Sequence, residues 1–266
     1  MPDATSYTDG DEIIRIAQAK KCDAIIPGYG FLSENAAFAQ AVADAGLVFV
    51  GPSPDVIKSF GVKHTARDLA KAAAVPIVPG TAGLVANEQD ALSESEKLGY
   101  PVMLKITAGG GGAGLITCNG PDEVRTGFKT AKSRGEALFK DAGVFIERFY
   151  PEIHHVEVQV FGNGQGKAIH FGERECSIQR RHQKVIEECP SPFVESRPGL
   201  RGKLCSAAVS LAESVKYGSA GTVEFLVDDN TADFFFLEVN TRLQVEHPIT
   251  EACYDIGRKR LEFTLE

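Results

Sequence analysis

The spacing of apolar residues changes period along the chain, and each change marks an element. In "DEIIRIAQAKK" the apolar positions recur at helical intervals, whereas "DAIIP" is a short run of strand type. "SENAAFAQAVADAG" opens on a Ser/Glu/Asn cluster suited to capping a helix and ends at Gly46, and "LVFVG" is a second strand. Helix and strand in alternation imply a parallel sheet with helical crossovers. Two parallel strands make a poor sheet, and the chain opens in a helix. Residues 1–60 are therefore expected to be the later part of a doubly wound domain whose first strands are absent.

From 54 to 75 the pattern is mainly helical, through "KHTARDLAKAAAV", until "PIVPG" breaks it. Residues 76 to about 150 read as a small α+β unit: the strand "PVMLKIT", a glycine loop, the strand "GLITC", a helix from about Pro121 and the strand "VFIERF". Residues 154–250 are β-rich, with strands predicted in "HHVEVQVFG", "KAIHFGERECS", "GTVEFLVDD" and "DFFFLEVN", and one helix near 199–216.

The last strand runs into "LEVNTRLQVEH", which alternates strictly. Glu238, Asn240, Arg242, Gln244 and Glu246 would share one face of an extended chain, backed by Leu237, Val239, Thr241, Leu243 and Val245. A half-buried strand with a solvated face is one reading. The buried-type run "DFFFL" just before it favours a cleft. At about 3.3 Å per residue, Glu238 to Glu246 would span about 26 Å. Either the chain turns after Arg242 or the row lines an elongated ligand. A hairpin centred near Thr231 in the turn "DDNTAD" sets Glu224 opposite Glu238. Facing carboxylates repel, so a buried pair shares a proton or takes a cation. With the Asn240 oxygen they form a hard donor set of the kind Mg²⁺ or Mn²⁺ takes.

Composition narrows the field. The chain has 266 residues, 43% of them apolar and 24% charged, which fits a globular protein with a real core. A net charge of -8 argues against a general nucleic-acid surface. No apolar run approaches the ~20 residues of a membrane span. "MPDATSYTDGDE" reads as neither a signal nor a transit peptide, so a cytoplasmic location is expected. The six cysteines form no C-x-x-C pair and read as idle thiols of a reducing compartment; the six histidines lack H-E-x-x-H spacing.

Three further stretches carry candidate chemistry. "KITAGGGGAG" is a glycine loop that could bring backbone N–H groups to phosphate oxygens, or simply a flexible hairpin; Lys105 ends the strand beneath it. "ERECSIQRRHQK" gathers Arg180, Arg181, His182 and Lys184, as a basic surface patch, as partners of Glu187 and Glu188, or as a site for an anion. In "IIPGYGFLSEN", Gly28 and Gly30 sit at the carboxyl end of a strand, where α/β ligands bind, though a tight turn explains them equally. His154 is expected at the surface, and His155 could face a cleft.

Taken in order, "IPGYGFLSEN", the K-x-x-A at 63–66, "PVMLKITAGGGG", "HVEVQV", "ERECSIQRRHQKVIEE", "GTVEFL" and "FLEVNTRLQVEHPITE" resemble the biotin carboxylase family of ATP-grasp enzymes, from about residue 10 to 256. Within it, "DAIIPGYGFLSEN", "GVKHTARDLA" and "TAGGGGAGL" look most like the urea carboxylase part of urea amidolyase. The resemblance implies an α/β and α+β fold: an ATP-grasp domain over 61–256, with a lid at about 77–149, after a truncated N-terminal parallel-sheet domain and before a divergent tail at 257–266.

It implies ATP contacts at Lys63, Lys105, Gly111, Gly112, Glu147, Arg148, Phe149, Tyr150, His155, Gln179 and His182. Metal ligands fall at Glu224, Glu238 and Asn240, for Mg²⁺ or Mn²⁺, and the bicarbonate site at Lys184, Arg242, Gln244 and Val245. Lys184, Arg242 and Glu246 take the catalytic positions, with Glu246 as general base. The implied reaction is carboxylation of biotin on a carrier domain, by way of carboxyphosphate made from ATP and bicarbonate. The resemblance allows a homo-oligomer and leaves the final acceptor open among urea, an acyl-CoA and pyruvate.

Ala113 stands where acyl-CoA carboxylases of the family carry a basic lid residue. The tail "GRKRLEFTLE" abandons the pattern, a C-terminal domain with a biotin-facing arginine is lacking, and no biotin attachment motif is present. This chain alone is therefore expected to carboxylate biotin poorly or not at all, with weak nucleotide binding retained. A nucleotide-binding remnant is the competing reading from another class; a carboxylate–amine ligase fits "RRHQK" and "RLQVEH" less well.

Overall fold

A computed structural model describes residues 4–106, 114–139, 143–180 and 183–256. They fall into two compact units, one formed by the chain up to Ile77 and from Ile153 onward, the other by Val78–Glu152.

The first unit begins with a 3-10 turn (Ala4–Thr8), α1 (Gly10–Ala19), β1 (Ala24–Ile25), α2 (Ala36–Asp44) and β2 (Val48–Phe49). Asp9 caps α1 by accepting from the Glu12 amide at 3.0 Å. Of the Ser/Glu/Asn cluster it is Asn35 that caps α2, accepting from Phe38 at 2.9 Å. The strands β1 and β2 pair in parallel, as the alternation implied. After α3 (Pro54–Gly61) and α4 (Lys63–Ala72), the Phe236 amide donates to the Pro76 carbonyl at 2.7 Å, so the chain runs beside a strand of the large sheet.

That sheet follows Ile153. It comprises β6 (Ile153–Asn163), β7 (Ala168–Arg180), β8 (Gln183–Glu188), β9 (Gly218–Asp228) and β10 (Phe234–Asn240), in the order β10-β9-β6-β7-β8, antiparallel throughout. Helices α7 (Pro192–Glu195), α8 (Leu200–Ser214) and α9 (His247–Tyr254) complete the unit. The sequence patterns predict neither β8 nor α7 and α9. One face of the sheet is apolar: Val156, Val158, Val160, Val223 and Phe225 pack with Leu204, Ala208 and Leu211 of α8 and with α4. The opposite face is buried too, yet polar, with Glu157, Gln159, Arg174, Thr222 and Glu224.

The second unit holds α5 (Glu88–Leu98), β3 (Val102–Ile106), β4 (Leu115–Cys118), α6 (Pro121–Phe139) and β5 (Val144–Arg148). Its sheet has the order β4-β3-β5, and Val102, Leu104, Ile106, Val144 and Ile146 pack with Val124 and Phe128. The helix α5 is absent from the sequence expectation because "EQDALSESEKL" buries only Ala91, Leu92 and Ser95. The glycine loop and the tail after Ile256 lie outside the described residues, and among the described residues no helix is long and apolar enough to cross a membrane.

The alternating row takes the first of its two alternatives: β10 ends at Asn240, as the strand "DFFFLEVN" does, and residues 241–246 turn into α9. One expectation needs correction: His154 is half-buried rather than free at the surface. It lies between Glu175 at 3.0 Å and Asp229 at 3.2 Å and stacks on Phe193 with ring centroids 3.8 Å apart. All six cysteines are free thiols, and burial pushes Cys118 up to about 11 and Cys176 well above the ordinary range.

The seating of α9 on β7 turns on one glycine. Gly172 has φ +71°, and a Cβ there would lie 1.8 Å from the Tyr254 hydroxyl. Gly172→Ala is expected to cost at least about 2 kcal/mol, from the left-handed backbone and the overlap together. Urea denaturation measures it; a loss under about 0.5 kcal/mol would show that Tyr254 moves aside freely.

Candidate functional site

The polar face of the large sheet is organised by register. Arg174 on β7 pairs with Glu157 on β6, Glu157 with Glu224 on β9, and Glu224 with Glu238 on β10. Three carboxylates and one guanidinium thus lie in a rung across four strands. A bulge makes the last pairing: Phe236 faces Phe225, and the extra residue Leu237 lets Glu238 face Glu224. The expected opposition of Glu224 and Glu238 is present in the pairing.

Adjacent like charges cost stability unless a cation intervenes. Here Lys184 of β8 intervenes. Its ammonium donates to Glu157 Oε2, to Glu224 Oε1 at 2.8 Å and to Glu246 Oε1 at 2.9 Å. Burial alone would lower its pKa, but Glu157 and then Glu224 outweigh burial and hold the ammonium above the ordinary lysine value. Glu157, Cys176 and Glu246 bring ligand atoms within 4.8 Å of one another, a grouping that could hold a metal. The Lys184 ammonium already bonds both carboxylates of that group.

Glu246 arrives from the turn after β10 as the N-cap residue of α9 and is buried. Gln244 is buried beside it. The amide orientation that satisfies both its ends donates to Glu246 at 2.7 Å and accepts from Asn240 Nδ2 at 3.1 Å. Asn240 Nδ2 also donates to Glu224 at 2.7 Å, and its oxygen accepts from Arg242 at 3.2 Å. Arg242 is held by Glu34, Nε to Oε2 at 2.9 Å, and the same carboxylate accepts from the Thr241 amide at 3.0 Å. Val245 is exposed.

At the expected metal positions, carboxylate oxygens remain without hydrogen bonds among the described residues. Glu224 uses Oε1 for Lys184 and Asn240, while its Oε2 makes no hydrogen bond among the described residues. Glu238 is exposed and has no ion pair among the described residues. The Asn240 oxygen faces Arg242, so Asn240 would have to turn its amide to join them.

The other sequence-derived positions scatter more. His155 donates its backbone N–H to Ser177 at 2.9 Å, and Gln179, opposite Lys184, donates to the Cys176 carbonyl at 2.9 Å. Lys63 is exposed in the first turn of α4. In the second unit Lys105 pairs with buried Glu147, the Arg148 guanidinium donates to the Leu98 carbonyl at 2.8 Å, the Phe149 amide donates to the Pro101 carbonyl at 2.9 Å, and Tyr150 is half-buried. Gly111, Gly112 and His182 lie outside the described residues.

Three residues of the first unit's network were not singled out in the sequence: Glu34, Glu157 and Arg174. Of the alternatives open for the basic cluster, Lys184 does not pair with Glu187 or Glu188 but holds buried carboxylates. The signal for Glu157 was present in "HVEVQV", where a carboxylate and an amide alternate with valines, but that pattern also describes a solvated strand face.

Comparison with known proteins defines the class. Residues 62–259 match the ATP binding domain of the carbamoyl-phosphate synthase L chain, and residues 1–57 match the biotin carboxylase N-terminal domain. The chain belongs to the biotin carboxylase family of ATP-grasp ligases. It is 69% identical over 255 residues to a protein of Emericella nidulans assigned as a urea carboxylase, covering 96% of this chain and 20% of that one. A biotin carboxylase of Nostoc is 48% identical over 248 residues, 93% of this chain and 55% of that one. The biotin carboxylase domain of the Hydrogenobacter thermophilus 2-oxoglutarate carboxylase, solved as a dimer with MgADP, ADP and bicarbonate, superposes with a TM-score of 0.77 at 39% identity, over 93% of this chain and 54% of that one. The chain thus spans a fifth to about half of these relatives.

Lys184→Met is expected to lower stability by about 3 kcal/mol, since it strips the cation from buried carboxylates. The folded pKa is raised above the ordinary 10.5, so the ammonium's contribution is fully present below that value and is lost only as pH climbs through the higher folded value. The stability gap between wild type and variant should therefore stay level from about pH 7 to about pH 10. Urea denaturation across that range measures it, and a gap closing by about pH 9 would contradict the assignment.

Proposed function

We propose that the chain is the ATP-grasp part of a biotin carboxylase of the urea carboxylase type, which carboxylates carrier-bound biotin with bicarbonate at the expense of ATP. In that scheme residues 1–60 belong to the N-terminal domain and 61–256 to the ATP-grasp domain, with the lid at about 77–149. The matched family domains support this division, and 69% against 48% identity supports the urea carboxylase branch.

One observation carries the reading. A single ammonium, Lys184, bonds both Glu224, a metal position, and Glu246, the proposed base. Phosphate-side and bicarbonate-side groups are thereby joined within one unit. Lys184 has three N–H bonds and donates to three carboxylates, so an incoming bicarbonate takes the place of one of them. Glu224 is the one with an alternative use, as a ligand. Glu246 would accept the bicarbonate proton, held in place by Gln244 and by the turn into α9. Arg242, steadied by Glu34 and Asn240, would present a cation to the anion and later to the biotin enolate. Glu224 and Glu238 would hold Mg²⁺ or Mn²⁺, which offsets charge on the transferring phosphoryl group. Lys105 and Glu147 would serve the nucleotide, together with Lys63, Gly111, Gly112, Arg148, Phe149, Tyr150, His155, Gln179 and His182. A biotinylated carrier would be the macromolecular partner.

The direct test is ADP release by the purified chain with ATP and Mg²⁺, with and without bicarbonate and free biotin. Slow release that depends on bicarbonate is the expected result; bicarbonate-independent hydrolysis, or no nucleotide binding at all, would overturn the reading. Glu238→Gln is expected to weaken Mg²⁺-dependent binding of a nonhydrolysable ATP analogue by about tenfold or more. Because Glu238 is exposed, its melting temperature should stay near that of the wild type. Calorimetric titration of Mg²⁺ reads the first and a thermal melt the second.

A further inference from the structure

Arg174 has no place among the proposed substrate-binding residues, yet it is fully buried, at 0% exposure, on the polar face of the sheet. It spends its guanidinium on four neighbours: Nε on Glu157 Oε1 at 2.5 Å, Nη1 on Gln159 at 3.0 Å and Thr250 at 2.8 Å, and Nη2 on Thr222 at 3.3 Å. Gln159 and Thr222 are structural company on the neighbouring strands. Glu157 and Thr250 lead elsewhere.

Glu157 uses its second oxygen for the Lys184 ammonium, which reaches Glu246 at 2.9 Å. Glu246 holds the N-cap position of α9, and Thr250 lies one turn further along the same helix. The contacts therefore close a ring: Arg174, Glu157, Lys184, Glu246, the first turn of α9, Thr250 and back to Arg174. We propose that Arg174 is a positioning residue, which fixes Lys184 through Glu157 and Glu246 through Thr250. The consequence for bicarbonate rests on the function proposed above; the positioning itself does not.

The chemistry explains why an arginine serves here. Its planar fork donates in several fixed directions at once, whereas an ammonium is a compact point charge on a flexible stem. Without the guanidinium, Glu157 Oε1 would be a buried carboxylate oxygen with no counter-charge, and Lys184 would be drawn towards Glu157 and away from Glu246. Without the Thr250 hydroxyl, the first turn of α9 would lose its tie to that fork while the Arg174–Glu157 pair remained.

The test reads the Lys184 ammonium directly. In the full chain with ¹⁵N-labelled lysine, its NH₃⁺ resonance is identified by its loss in Lys184→Arg. Proton exchange with water is then compared among wild type, Arg174→Met, Arg174→Lys and Thr250→Val. Thr250→Val preserves shape, so it decides the matter if Arg174→Met does not fold. Exchange is expected to accelerate by about tenfold in Arg174→Met and Thr250→Val, the scale of one lost charge-assisted hydrogen bond, and less in Arg174→Lys. Affinity for ¹³C-bicarbonate, read from its line width, should weaken in the same order. Unchanged Lys184 exchange in folded Thr250→Val overturns the proposal, even with a lowered melting temperature, because a purely structural arginine would give that. Accelerated exchange in a protein whose wild type binds no bicarbonate upholds the positioning role and sinks the functional reading instead.

Discussion

Everything on the polar face of the large sheet depends on how three adjacent carboxylates tolerate one another. Strand register sets Glu157 beside Glu224 and Glu224 beside Glu238. Glutamates at neighbouring ladder positions repel, and burial sharpens the penalty. Two cations resolve it from opposite sides. Arg174 takes one oxygen of Glu157, and Lys184 takes the other together with Glu224 and Glu246. The bulge at Leu237, the turn at 241–246 and the close seat of α9 over Gly172 bring the outlying members of this network to it.

The apolar half of this arrangement was legible in the sequence because burial leaves a periodic trace. The valines of β6 and β9 and the hairpin about Thr231 follow from alternation and turn residues, and with them the pairing of Glu224 with Glu238. The polar half was not, because a buried carboxylate and a solvated one leave the same trace. Glu157 at 1% exposure alternates with valines as a surface residue would. Beyond Asn240 the alternation persists while the strand does not, since the chain there takes its shape from distant partners: Glu34 grips Thr241 and Arg242 across more than 200 positions. Local periodicity carries no record of such contacts. The helix α5 failed to register for the opposite reason, having too few buried residues to make a stripe.

The stretch "GYGFLSEN" shows how one motif can serve two ends. Asn35 caps α2 through the Phe38 amide, which makes the loop a rigid entry into the helix. Its neighbour Glu34 then stands on a fixed base and can hold the Thr241 amide and the Arg242 guanidinium together. A capping cluster, unremarkable as a helix signal, so becomes the support of a candidate catalytic arginine. The family resemblance located Arg242 in the sequence; the contact with Glu34 supplies a physical reason for its direction.

The division between the two cations of the network bears on what the site can accept. Arg174 is enclosed and spends its donors on fixed neighbours, whereas Lys184 is 21% exposed and holds its carboxylates with a rotatable ammonium. Of the two, the lysine is the one that can exchange a partner, provided another cation takes over the carboxylate it releases. The four carboxylates Glu157, Glu224, Glu238 and Glu246 face two basic groups, Arg174 and Lys184, since Arg242 is matched by Glu34. The formal excess is two negative charges, and it falls towards Glu238, the exposed end of the rung. A divalent cation there would balance it. Such a cation would also compete with Lys184 for Glu224, freeing an N–H of the ammonium beside Glu246 at the point where an anion is needed. In the proposed scheme, metal and bicarbonate sites joined by a shared lysine would then favour each other's occupancy, and the coupling would need no movement larger than the turning of one side chain.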